Sequence, residues 1–243
     1  MTEDLATNIL ASLCWVLLGV GGKFAFDWVK DTRPAARVWR LPRRASVAIV
    51  AADRPPAGGA GRPVALVHPA EFAAATEITE SISRQFQCHV GRVSTASQFP
   101  QDRLVDSHLV VIGGPINNEV YRNLTGRLAD FPYAFEDRVL VDVTKNVRYE
   151  PLEDADGNLS HDIALIVLTR NPLNLDRRLV ILAGCRTFGC LGAARLMTKD
   201  HAGVLSRRIG RSGRSEATHL FVVKVPVVGT TVGELEILDH RSV

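Results

Sequence analysis

Short runs of Val, Ile, Leu and Ala recur along this chain, separated by amphipathic stretches, and that alternation limits the fold more than any other feature. Ala45–Ala52 (ASVAIVAA), Cys88–Val93, His108–Ile112, Arg138–Val143, Arg178–Ala183, Leu220–Val225 and Glu234–Leu238 read as strands. Between them, Pro69–Phe86 sets Phe72, Ile78, Ile82 and Phe86 at helical spacing with Glu71, Glu77 and Glu80 opposite. A short helix is expected near Asp102, and longer ones over Ile116–Leu128 and Cys190–Met197. Apolar strand runs alternating with helices predict an α/β domain over residues 45–243. Its sheet should be mostly parallel, Rossmann-like or flavodoxin-like, and covered on both faces. Arg148–Leu152 and Asp162–Leu168, joined by EDADGNLS with its Asp-Gly turn signal, add an antiparallel hairpin. Asp53–Arg62, rich in Pro and Gly, is a loop.

Ahead of this domain, Leu5–Gly22 carries no charged side chain. At a rise of ~1.5 Å per residue, such a run is just long enough for a hydrocarbon core of ~30 Å. Phe24, Phe26 and Trp28 suit the interfacial aromatic belt. Glu3 and Asp4 precede the run, whereas Lys23, Lys30, Arg33, Arg37, Arg40, Arg43 and Arg44 follow it. Because Lys and Arg stay on the cytoplasmic side, the expected arrangement is a single transmembrane helix with its flanks over residues 1–29 and a basic juxtamembrane linker over 30–44. The N-terminus would lie outside and the domain on the cytoplasmic face of the plasma (inner) membrane, with the lipid bilayer as a partner. A cleavable signal peptide would want basic residues ahead of the run and small ones behind it, the reverse of what stands here. The net charge of +3 is too small to imply nucleic-acid binding, and the four cysteines are too scattered for a disulfide framework.

Three turns carry candidate chemistry. In DSHLVVIGGPINNEV a strand runs into Gly113 and Gly114, Pro115 suits the first position of a helix, and Asn117 and Asn118 could hydrogen-bond a ligand. In LVILAGCRTFGCLG a strand runs into Gly184–Gly189 and then a helix. Arg186 and Thr187 stand where a phosphate would be held, bidentate on the guanidinium and on the hydroxyl at the helix start. Either turn could equally be a strand-to-helix connection with no ligand. The third, Thr169-Arg170-Asn171-Pro172, supplies Arg170 and Asn171. If the strands are parallel neighbours, all three gather at one carboxyl edge, where open α/β sheets bind ligands. Glu119 is the one carboxylate beside a proposed ligand loop and the only candidate for catalysis. No Walker loop, dinucleotide fingerprint or metal-ligand spacing is present, so no cofactor is implied.

The GGPINN, TRNP and AGCRTFG turns together resemble a group of bacterial α/β domains that have a Gly-Gly-Pro-x-x-Asn loop, an Asn-Pro, and an Ala-Gly-x-x-x-x-Gly turn. The resemblance spans Ala45–Lys199. Cys190 stands where that group commonly has Thr, which removes a hydroxyl from the comparison. The group brings no activity with it, and its joining to membrane segments or signalling modules implies sensing rather than metabolism. The functional expectation is therefore a membrane-anchored sensor or effector that binds a nucleotide or another phosphorylated small molecule. A nucleoside or nucleotide glycosidase using Glu119, and a non-catalytic interaction module, are the alternatives. A homo-oligomer stays open.

Overall fold

The structure is a computed structural model, and it describes residues 15, 20, 22–23, 34–53, 67–198, 201–210 and 217–243. Its centre is a ten-stranded sheet. Along it lie β12 (Thr231–Val232), β11 (His219–Val228), β9 (Leu159–Asn171), β10 (Asn174–Gly184), β4 (His108–Ile112), β1 (Ser46–Ala51) and β2 (His89–Val90). Off this path, β3 (Ser94–Thr95) pairs with β1, β8 (Leu152–Glu153) with β9, and β13 (Glu236–Ser242) with β11.

The sheet is mixed, and this corrects the mostly parallel expectation. β2, β3, β1, β4 and β10 run parallel, but β9 is antiparallel to both β10 and β11. The reason is the connection. Asn171 pairs with Asn174, so only Pro172 and Leu173 separate the two longest strands. A link that short can only reverse the chain, because a parallel neighbour needs a crossover of about a dozen residues or more. The hairpin across Asp154–Asn158 does form, short and at the rim, with Leu152 opposite His161.

Side-chain alternation along the strands divides the core into two layers. Val47, Ile49, Val110, Ile112, Val180, Leu182 and Phe221 face α2 (Pro69–Phe86), α5 (Thr187–Met197) and α6 (Ala202–Ile209). Ala48, Val50, Leu109, Val111, Leu179 and Ile181 face α3 (Arg103–Asp106), α4 (Glu119–Thr125) and a small sheet of β5 (Tyr133–Glu136), β6 (Val139–Asp142) and β7 (Val147–Tyr149). α2 starts where Pro69 suits the first turn and His68 Nδ1 accepts from Ala70 N, and it ends at Gln87 in the left-handed region. Its buried stripe is Glu71, Ala74, Ala75, Ile78 and Ile82, while Phe72 is 61% exposed. At about 100° per residue, Glu71 falls nearly in line with Ile78 and Phe72 some 120° away, so the inward place goes to the acid.

No helix among the described residues is long and apolar enough to cross a membrane. This overturns the single-pass reading, and with it the inner-membrane location and the topology. The run that prompted it, Leu5–Gly22, lies outside the described residues apart from Trp15, Val20 and Gly22. Its 18 residues leave no surplus over the length a span requires, and Thr7, Asn8 and Ser12 lower its hydropathy. Part of the expected linker is core. The helical residues 34–39, labelled α1, bury Ala35, Val38 and Trp39, and Trp39 Nε1 donates to Met197 O at 3.0 Å.

The small sheet is held to β13 by charge. Arg241 forms an ion pair with Asp142, which is fully buried, and its Nη1 donates to Thr144 Oγ1 at 2.6 Å. Asp239 accepts from Tyr133 Oη at 2.8 Å and from Lys145 Nζ at 3.2 Å.

Candidate functional site

Two of the three candidate turns meet. β4 and β10 are parallel neighbours, Ile112 lies opposite Leu182, and Gly113 N donates to Leu182 O at 3.0 Å. GGPINN and AGCRTFG therefore leave the same carboxyl edge side by side, and a Cβ on Gly114 would sit 3.4 Å from Gly184 O. Gly113 adopts φ +109°, and a Cβ there would press to 2.5 Å from Ala52 Cβ, so the chain's own packing requires glycine. Asn118 is fully buried and caps α4: its Nδ2 donates to Ile112 O and its Oδ1 accepts from Tyr121 N, both at 3.0 Å. Both bonds serve the helix start, and the side chain has no exposure to solvent. Asn117 uses its carbonyl to accept from Asp53 N at 2.8 Å, and its side chain is exposed. Glu119 stands exposed in the first turn of α4, with no hydrogen-bond or ion-pair partner among the described residues.

The expected phosphate cradle is already filled. Asp162, buried on β9, puts its carboxylate at the start of α5, where Oδ1 accepts from Arg186 N at 2.9 Å and Oδ2 from Gly189 N at 2.5 Å. Ile163 N donates to Oδ1 as well, at 2.8 Å. These are the N–H groups that a phosphate at a helix start would need. Arg186 is turned away into an ion pair with Glu153 at 2.6 Å. The protein's own acids thus hold both halves of the cradle, and this overturns the nucleotide-binding expectation at this turn. Burial pushes the Asp162 carboxyl up to about 6, against the pull of the three backbone donors and of Arg186. Burial also raises the thiols of Cys185 and Cys190, so neither is a poised nucleophile.

The glycines of this turn serve packing rather than ligand access. A Cβ on Gly184 would lie 2.2 Å from Arg186 O, and one on Gly189 would lie 2.7 Å from both Gly184 Cα and Ile163 O. Thr187 begins α5, and Gly192 further along lies against Val225, whose γ carbons a Cβ would meet at 2.5 Å. Gly189→Ala should cost about 3 kcal/mol or more, beyond ordinary overpacking, because the atoms in the way are backbone. Chemical denaturation of the variant checks this.

The third turn lies elsewhere. Because β9 runs against β10, Arg170 and Asn171 emerge at the edge opposite the two glycine turns. Asn171 is fully buried, with Nδ2 donating to Leu104 O at 2.6 Å and Oδ1 accepting from Leu173 N at 3.0 Å. It closes the hairpin. Arg170 stands across the ladder from Arg178.

Beside GGPINN, however, there is a concave surface that the motif reading passed over. An open groove of about 450 Å³ runs between α4 and β5, lined by Tyr121, Tyr133, Phe135, Phe131, Arg122 and Pro115. Tyr121 and Phe135 meet edge to face at 6.0 Å, and so do Phe131 and Tyr133 at 6.5 Å. Arg122 Nη1 donates to Pro115 O and to Ile116 O, fixing the guanidinium on the rim with donors to spare. The sequence signal was the aromatic cluster Phe131-Pro132-Tyr133-Ala134-Phe135, and the missed acid was Asp162, a lone charge heading the apolar run Ile163–Leu168. No protein-family model matches the chain and no curated protein is similar to it, so geometry alone speaks for what the site can do.

Proposed function

We propose that this chain is a small-molecule-binding domain of the sensor or effector kind, and that its ligand is an organic phosphate with an apolar, planar portion. The groove between α4 and β5 carries the reading. Its volume of about 450 Å³ suits a small ligand, its lining is rich in aromatic side chains, and one arginine stands at its rim. Aromatic walls stack on a planar group, and a guanidinium recognises phosphate by paired hydrogen bonds. Pro115 belongs both to the groove and to the GGPINN turn, so occupancy of the groove would bear directly on the backbone at the carboxyl edge.

Phenyl phosphate is a suitable probe. Calorimetry and thermal shift should detect phenyl phosphate binding more tightly than either inorganic phosphate or phenol. Arg122→Ala should weaken that binding roughly tenfold, since a charge-assisted hydrogen bond contributes about 1.5–3 kcal/mol. Equal, negligible responses to all three probes would sink the reading.

A further inference from the structure

The aromatic lining of the groove is anchored from outside it. Of its four rings, Phe131 and Phe135 are half-buried, whereas Tyr133 and Tyr121 are buried and meet them edge to face. Tyr121 is carried by α4, but Tyr133 lies on β5, in the separate three-stranded sheet. The spacing of the two walls therefore depends on what fixes that small sheet.

Tyr133 on β5 stands directly opposite Asp142 on β6. On β13, Asp239 and Arg241 are two residues apart, so in an extended strand they project from the same face. The two pairs grip crosswise. Tyr133 Oη donates to Asp239 Oδ2 at 2.8 Å, while Arg241 forms its ion pair with Asp142. The Arg241 guanidinium also lies over the Tyr133 ring, 5.3 Å from the centroid. Arg241 Nε and Lys145 Nζ donate to the same Asp239 Oδ2, at 3.3 Å and 3.2 Å. Tyr133 is thus held at its hydroxyl by Asp239, over its face by Arg241 and at its flank by Phe131. Asp239 stands outside the groove, and its path to the ligand surface runs through Tyr133 and then Phe131.

We propose that Asp239 is a positioning residue for this groove: it seats Tyr133, and through it the β5 wall, so that ligand affinity is tied to the docking of the small sheet on β13. The inference rests on the reading of the groove as a ligand site, and adds its control. Coupling of this kind is reciprocal, so a firmer grip by β13 strengthens binding, and a bound ligand holds β5 more firmly against β13.

The test uses the full chain and phenyl phosphate. Calorimetry on Tyr133→Phe, which keeps the ring and loses the hydroxyl, should show a Kd raised roughly fivefold, and Asp239→Ala the same. Because both remove one bond, the double variant should bind no more weakly than Asp239→Ala alone. Asp239→Asn keeps an acceptor for the hydroxyl and should return the Kd to within about twofold of the parent. A merely structural Asp239 would lower Tm in these variants and leave Kd where it was. Amide exchange in the parent needs no variant: phenyl phosphate should slow it in β5 and β6 and leave β1 and β4 unchanged. If phenyl phosphate binds the parent but binds Asp239→Ala equally well, or the two substitutions weaken binding additively, the proposal is overturned. Exchange in β5 that ignores the bound ligand overturns it too. A parent that binds no phenyl phosphate brings down the reading of the groove itself, and this inference with it.

Discussion

Arg241→Ala should lower the unfolding free energy by about 3–5 kcal/mol, because it strands the carboxylate of Asp142 without its counter-ion in a site with no exposure to water. The arginine side chain is itself only 15% exposed, so solvent screens the pair weakly. Three further contacts go with it: the bond to Thr144, the bond to Asp239 at 3.3 Å, and the guanidinium over the Tyr133 ring at 5.3 Å. For a domain of this size the loss corresponds to a Tm drop on the order of 10 °C. Differential scanning calorimetry checks it. The double variant Asp142→Asn, Arg241→Met should recover much of the loss, since no bare charge then remains buried. A double variant as unstable as the single one would mean that packing, and not the stranded charge, sets the effect.

Asp162→Ala is the second large effect, and its size depends on pH. The substitution leaves the N–H groups of Ile163, Arg186 and Gly189 without their acceptor, at about 1–3 kcal/mol each. Against that stands relief from burying a charge. The folded-state pKa of about 6 lies above the ordinary carboxylate value, so between those two pH values the folded chain holds a proton that the unfolded chain has released. Stability from this group is therefore fully present below about pH 4 and declines as the pH rises to about 6, by roughly 3 kcal/mol. The variant lacks this decline. Its deficit against the parent should be largest near pH 4, several kcal/mol, and should narrow toward pH 7. Denaturation curves at several pH values decide it. A deficit that widens with pH would show that the carboxylate is stabilised as an anion, with its three donors outweighing burial.

The same aspartate marks where sequence reasoning stopped. The strand that carries it, the glycine turn after β10 and the helix that follows were all legible, because each is written in local periodicity and turn chemistry. Asp162 reaches Arg186 N and Gly189 N from 24 and 27 residues away, and nothing in AGCRTFG announces that its donors are taken. Asn118 differs. It caps its own helix from within three residues, a relation the sequence offers as readily as the ligand role given to it. The aromatic groove also went unseen, since its walls come from two elements on the far side of a turn.

Sequence alone placed part of the secondary structure: His108–Ile112, Pro69–Phe86 and the helix ending at Met197 follow from patterns that repeat within one or two turns or alternate along a strand, whereas α1, α6 and β5 were not expected. Tertiary structure decided the direction of β9 against β10, the face that Glu71 and Phe72 take, and which acid occupies the start of α5. The physical reason is range. Periodicity fixes which side of an element is apolar, whereas strand direction and buried-charge pairing are settled by what meets that side, and those partners come from distant parts of the chain.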